Sequence, residues 1–205
     1  MIVLGLTGSI GMGKSAVTAM FRAQGVPVFD ADAEVHRLQG PGGALVSVIE
    51  ARFPGTTGPS GVDRQKLGAL VLGQPQDLRA LERLIHPAVY KARQMFLQRN
   101  RSRALAVLDI PLLFEKKGRA KLDAIVTVSA PLWMQRKRVL ARANMTSAKF
   151  NRIKALQLPD HHKRARSDFV IETGCLRLET RQAVRRLIAC VTRKKGGYPL
   201  STCAK

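Results

Sequence analysis

Short, wholly apolar runs alternate along the chain with longer stretches in which apolar residues recur every three or four positions. Ile2-Val-Leu-Gly-Leu6 has the length and composition of a buried strand. A glycine-rich turn follows, then a helical pattern from about Gly13 to Gln24, stopped by Gly25. Val26-Pro-Val-Phe29, Ala104-Leu-Ala-Val-Leu108, Ala124-Ile-Val-Thr-Val128 and Phe169-Val-Ile171 predict four further strands, and Leu178 to Thr192 a final amphipathic helix. Residues 33 to about 103 read mainly as helix, interrupted by the turn-rich stretch Phe53-Pro-Gly-Thr-Thr-Gly-Pro-Ser-Gly61. This is long for one crossover and predicts an inserted helical subdomain. Residues 131 to about 166 read as helical and basic.

Strands alternating with helices predict an α/β fold: an open parallel sheet of five strands, helices on both faces, and ligands at the C-terminal ends of the strands. The polar residues with chemical capacity fall at those ends. They are the loop after the first strand, Asp30 and Asp32 after the second, and Asp109 after the third. A length of 205 residues suits one well-cored domain with an insertion or two.

Charge adds a second layer. The formal net charge is +21, and residues 131–205 hold 18 basic and only 4 acidic residues. Such a field attracts polyanions, which include nucleotides, nucleic acid and anionic membranes. Aromatic residues make up 5% of the chain, too few for evident base-stacking platforms, and no RNA-binding signature accompanies the charge. Specific nucleic-acid binding is therefore not expected. The longest uncharged run, Met1 to Gly13, is far short of a membrane span and lacks the basic start of a signal peptide, so no membrane partner and a cytoplasmic location are expected. The cysteines, Cys175, Cys190 and Cys203, have no CxxC spacing and read as two small fillers and an exposed tail thiol rather than a metal site or bridges.

The sharpest signal is Gly8-Ser-Ile-Gly-Met-Gly-Lys14-Ser15, which satisfies the pattern GxxxxGK[ST] and sits between a predicted strand and a predicted helix. Glycines let the backbone wrap phosphate and point N–H groups inward, and the helix start adds its positive dipole end. Lys14 supplies a mobile charge for the β- and γ-phosphates, and the Ser15 hydroxyl suits Mg²⁺. The segment Gly8, Gly11, Met12, Gly13, Lys14, Ser15 and Ala16 is the candidate ATP site. Phosphate-loop proteins also include GTPase switches and motors; no NKxD-type guanine motif is present.

Other residues carry two readings. Asp32 is either a general base or the N-cap of the helix after the second strand. Asp109 suits a Mg²⁺ contact, directly or through water, or a capped turn before Pro111. Arg138 and Arg142 stand four apart and, on one helix, project to one side, where planar, permanently charged donors suit a transferring phosphoryl group. Trp133 reads as packing or as a stacking surface.

Several ordered blocks resemble one family, the dephospho-coenzyme A kinases. They are Gly5-Leu-Thr-Gly8 running into Ile10-Gly-Met-Gly-Lys-Ser15; Asp30-Ala-Asp32; Ile85-His-Pro87; Leu108-Asp-Ile-Pro-Leu-Leu-Phe-Glu115; Arg138 and Arg142 after Pro131; and Gln157 followed by Lys163-Arg-Ala-Arg-Ser-Asp168-Phe-Val-Ile171 and Gly174. The resemblance implies a single P-loop kinase domain over residues 1–192, with a core of 1–30, 104–130 and 168–192. It implies an acceptor-binding helical subdomain over 31–103 and a lid over 131–166; the basic tail, 193–205, reads from its composition as flexible, either disordered or loosely docked. ATP and dephospho-CoA are the implied partners, with Mg²⁺; the sequence does not fix the oligomeric state, and a monomer is expected. The resemblance makes Asp32 the base, places Lys14, Arg138 and Arg142 with it in catalysis, and gives Thr7, Asp32, His86, Pro87, Leu113 and Glu115 to the acceptor. Another nucleotide or small-molecule P-loop kinase, or a nucleic-acid-binding P-loop ATPase, is the alternative. Three positions depart from the family pattern: Ala16 where a threonine is common, Ala143-Asn144 where an acidic residue follows the arginine, and Thr173 where an asparagine is frequent.

Overall fold

The computed structural model describes residues 1–115 and 122–193. Its elements run β1 (Ile2–Thr7), α1 (Lys14–Ala23), β2 (Val28–Asp30), α2 (Ala31–Gln39), α3 (Val46–Arg52), β3 (Thr57–Gly58), β4 (Gly61–Val62), α4 (Arg64–Val71), α5 (Pro75–Arg99), β5 (Leu105–Asp109), β6 (Ala124–Ser129), α6 (Leu132–Leu140), α7 (Ser147–Ala155), α8 (Asp160–Ala165), β7 (Phe169–Glu172) and α9 (Arg177–Arg193). The chain divides into two compact units, residues 1–28 with 100–205, and residues 29–99.

The first unit is built on a five-stranded sheet in the order β2-β5-β1-β6-β7. β1 lies at its centre, parallel to β5 in the register Leu4 to Val107 and parallel to β6 in the register Leu6 to Val126. β7 continues the sheet, parallel to β6. Central strands of a parallel sheet are covered on both faces, which explains why β1 and β5 read as unbroken apolar runs without alternation. Leu4, Leu6, Val107, Val126 and Val128 pack with Val17 and Phe21 of α1 and Val184 of α9, all essentially inaccessible to solvent. Two of the chain's few carboxylates secure strand starts: Asp123 accepts from Val3 N at 2.7 Å and Asp168 from Ile125 N at 2.8 Å.

The second unit has its own core, in which Leu38, Ile49, Phe53, Leu67 and Leu81 meet. The turn-rich stretch that predicts only a loop contains a small antiparallel hairpin, β3 paired with β4. Glu50 holds it, accepting from Gly55 N at 2.7 Å and from the Thr57 hydroxyl at 2.7 Å, and these donors lower its carboxyl pKa. α5 runs 25 residues straight through Pro87. The His86-Pro87 pair does not end a helical turn, as the local preference before proline suggests; apolar residues of α5 on both sides of it, Leu84, Ile85, Ala88 and Val89, pack against the unit's core and hold the helix together.

The stretch 131–166, read as helical and basic, consists of three helices. Asn144 takes a left-handed backbone (φ 59°), a conformation its short polar side chain tolerates, and Thr146 caps the next helix by accepting from Lys149 N at 3.2 Å. α6 stops at Leu140, so Arg142 lies beyond it, and the four-residue spacing to Arg138 does not place the two guanidinium groups on one helical face. Cys175 is a free, exposed thiol. Cys190 lies on α9. Lys116, Lys117, Cys203 and the tail beyond Arg193 lie outside the described residues. Among the described residues no helix is long and apolar enough to cross a membrane.

Candidate active site

The glycine-rich loop leaves the C-terminal end of the central strand and enters α1 through Gly13, which caps the helix with a left-handed backbone, φ 89° and ψ 16°. A Cβ at Gly13 would lie 2.9 Å from the Thr173 hydroxyl, and one at Gly11 (φ 76°) 2.5 Å from a Val139 methyl. Both positions need glycine twice over, for conformation and for space. No side chain caps α1 and no acidic residue occupies its first turn, so the helix start offers its N–H groups and dipole to an anion.

Lys14 and Ser15 begin that helix. The Lys14 ammonium pairs with Asp109 Oδ1 at the end of β5, and the Thr18 hydroxyl, one turn on, donates to Asp109 Oδ2 at 2.9 Å. β1 and β5 are neighbours in the sheet, and this adjacency carries Asp109 to the phosphate loop across about ninety residues of sequence. Asp109 is 3% exposed, so both of its oxygens depend on these partners. Ser15 and Ala16 are exposed on the first turn. The Ser15 hydroxyl with the Asp109 carboxylate is an all-oxygen donor set of the kind Mg²⁺ takes. The described residues contain no cluster of three or more His, Cys, Asp or Glu able to hold a metal by themselves.

The rest of the loop is fastened from outside. Gln135 Nε2, on α6, donates to Ile10 O at 2.8 Å, and Ile10 N donates to Gln157 Oε1 at 3.0 Å. Met12 turns inward: it is 3% exposed, its sulfur accepts from Ala130 N, and its carbonyl accepts from the Thr173 hydroxyl at 2.6 Å. Thr173 in turn receives Arg138, whose Nη1 donates to its hydroxyl at 3.0 Å and Nη2 to its carbonyl at 2.6 Å. Arg138 is thereby bound beside Gly13, while the exposed Arg142 bonds through its backbone, to Val139 O and Met145 N, and its side chain has no hydrogen bond or ion pair among the described residues. Trp133 is exposed rather than packed. A cavity of about 340 Å³ adjoins the loop, lined by Ser9, Met12, Gln135, Gln157, Asp160 and His161 among others.

Of the remaining candidates, Thr7, Leu113 and Glu115 are buried or half-buried. Thr7 is fully buried, and its hydroxyl donates to Pro111 O at 3.2 Å, joining β1 to the loop after β5. Leu113 is buried in that loop against Gly5. Glu115 pairs with Lys163 of α8 at 2.8 Å and accepts from Leu158 N at 2.9 Å. Burial raises the Glu115 pKa, but the ammonium and the N–H outweigh it and hold the carboxyl below its ordinary range. In the second unit, the N-cap of α2 is Asp30, which accepts from Ala33 N at 3.0 Å. Asp32 sits exposed in the first turn without a capping bond, so the capping alternative for it falls away. His86 and Pro87 are exposed on α5.

Sequence reasoning missed Gln135, Thr18 and the anchoring role of Thr173. Each is a neutral residue whose importance comes from a partner more than 90 positions away, and no local pattern carries that information.

Comparison with known proteins bears on the same residues. The sequence profile of the dephospho-CoA kinase family matches residues 2–176. A dephospho-CoA kinase of Novosphingobium aromaticivorans is 57% identical over 192 residues, 94% of this chain and 96% of that one. That of Zymomonas mobilis is 48% identical over 191 residues, covering 93% of this chain and 97% of its own length. The crystal structure of a Thermus thermophilus protein, 34% identical, superposes with a TM-score of 0.80 over 95% of this chain and 98% of that one. The dephospho-CoA kinase from Campylobacter jejuni, 19% identical, shares the fold at a TM-score of 0.66, with 93% and 97% of the chains covered. With its phosphate loop intact and its match running nearly from end to end, the chain belongs to the dephospho-CoA kinase family.

Proposed function

We propose that this protein transfers the γ-phosphoryl group of ATP to the ribose 3′-hydroxyl of dephospho-CoA, giving coenzyme A and ADP, as a cytoplasmic enzyme. The observation that carries this reading is 57% identity, almost end to end, to a dephospho-CoA kinase, in a chain that keeps the residues phosphoryl transfer needs.

Each group then has a task. The N–H donors at the start of α1 bind the β-phosphate, and Lys14 neutralises charge on the β- and γ-oxygens. To do so the ammonium shares or leaves its contact with Asp109, a short movement for a flexible side chain. The Ser15 hydroxyl, with Asp109 reaching through water, is the donor set for Mg²⁺, which when bound supplies positive charge to the phosphate oxygens. Asp32 accepts the proton of the acceptor hydroxyl as its oxygen bonds to the γ-phosphorus and the bond to the ADP oxygen breaks. Residues 29–99 carry the acceptor-binding role, with His86 and Pro87 among its contacts, and residues 131–166 act as a lid.

The arginines divide the labour differently from what their spacing suggests. Arg138 is tied to Thr173 and serves nucleotide positioning, while Arg142, its side chain exposed and unengaged among the described residues, is the mobile donor for the transferring group. Arg142→Ala is expected to lower kcat by roughly 10²-fold with little change in the acceptor KM, since the guanidinium counts most as charge redistributes. Arg138→Ala is expected to lower kcat less and to raise the KM for ATP. Steady-state kinetics with both substrates varied checks this, and a pure rise in acceptor KM for Arg142→Ala contradicts it.

The direct test of function is an acceptor panel with radiolabelled ATP. Label should appear in dephospho-CoA; label in a nucleoside monophosphate but not in dephospho-CoA rejects the proposal.

A further inference from the structure

Lys163 is the most deeply buried charge among the described residues, 0% exposed on α8, and among those residues its ammonium has one counter-ion, Glu115. No side-chain hydrogen bond supplements that contact, and Glu115 Oε2 is likewise buried without a partner. As a stabilising device the arrangement is poor. Two well-packed apolar side chains of similar volume would do as well or better, since desolvation of a buried ion pair cancels much of its attraction. An apolar pair could not, however, accept the Leu158 N–H, which Glu115 Oε1 does at 2.9 Å.

That single bond matters because of what adjoins it. Leu158 follows Gln157, the residue whose side-chain amide oxygen, Oε1, accepts from the Ile10 N–H in the middle of the phosphate loop. Ile10 lies between Gly8 and Gly11, in a stretch whose backbone would otherwise sample many conformations. A binding loop that must be ordered by its ligand loses affinity by the entropy of ordering.

We infer that Lys163 and Glu115 are positioning residues of the nucleotide site, acting through Leu158 and Gln157 to hold Ile10 and so preorganise the phosphate loop. This deepens the kinase reading and rests on its assignment of the loop to ATP. It gives Glu115 a task other than contact with the acceptor.

The experiment uses the full chain and measures ADP binding by calorimetry with Mg²⁺ present, alongside thermal melts. Glu115→Leu with Lys163→Met removes both charges and the acceptor of the Leu158 N–H. Glu115→Gln with Lys163→Met removes both charges and keeps an acceptor. The leucine double variant should bind ADP about 5- to 20-fold more weakly, the scale of one lost positioning hydrogen bond with its ordering cost. The glutamine double variant should stay within about 2-fold of wild type. Gln157→Leu, which leaves the ion pair untouched, should show the same 5- to 20-fold loss, and combining it with the leucine pair should add little, because both act on one relay. Wild-type affinity in Gln157→Leu, equal affinities in the two double variants, or losses that multiply would each overturn the inference. ADP binding involves no acceptor, so a failure to phosphorylate dephospho-CoA with this pattern intact would reject the kinase substrate and leave the positioning relay standing.

Discussion

Lys14→Ala is expected to reduce phosphoryl transfer by at least about 10³-fold, the largest effect of any single substitution in the chain. In a phosphate loop of this pattern the lysine ammonium cradles the β- and γ-phosphates and neutralises charge on their oxygens. The structure adds a consequence that the motif does not contain. Asp109 is buried, and without Lys14 its carboxylate keeps no cationic partner among the described residues, only the hydrogen bond from the Thr18 hydroxyl. The variant should therefore also lose stability, by about 1–3 kcal/mol, as a buried acceptor loses a charged partner. Adding Asp109→Asn should restore the melting temperature in large part while transfer stays at the level of Lys14→Ala. Calorimetric melts and single-turnover transfer on the two variants separate the roles. Near-wild-type transfer by folded Lys14→Ala would mean that the loop does not bind the transferred phosphate.

Asp32→Asn should leave the fold and ATP binding intact and lower transfer by about 10²-fold or more, the range of a lost general base. The capping bond of α2 belongs to Asp30, which accepts from Ala33 N, so a stability effect at position 32 is not expected. Asp30→Ala reverses the pattern: it removes the cap, costs about 1 kcal/mol in stability, and lowers transfer less than Asp32→Asn does. Single-turnover assays with saturating MgATP and dephospho-CoA, run beside melts, distinguish the two carboxylates. Transfer by Asp32→Asn at the wild-type rate would remove it from the chemistry.

These two residues also mark how far the chain can be read before it folds. The parallel sheet, the phosphate loop and the ends of β1, β5, β6 and α9 are legible because they rest on local rules: apolar runs for covered strands, glycine where the backbone turns left-handed, helical periodicity afterwards. The choice between capping and catalysis at Asp30 and Asp32 is not legible, since both carboxylates stand within reach of the first turn and only the folded backbone decides which one meets Ala33 N. The break of 131–166 into α6, α7 and α8 is similarly hidden, because it turns on the left-handed backbone at Asn144 and the Thr146 cap. By itself, then, the order of residues determined the fold class, the nucleotide loop and the family. The tertiary structure alone decided that Lys14 rests on Asp109, that Thr173 joins Arg138 to Met12, and that Gln135 and Gln157 hold Ile10. Local propensity spans a few residues, whereas each of these contacts joins positions separated by 35 to 161 residues, and such pairs exist only once the sheet has brought its strand ends together.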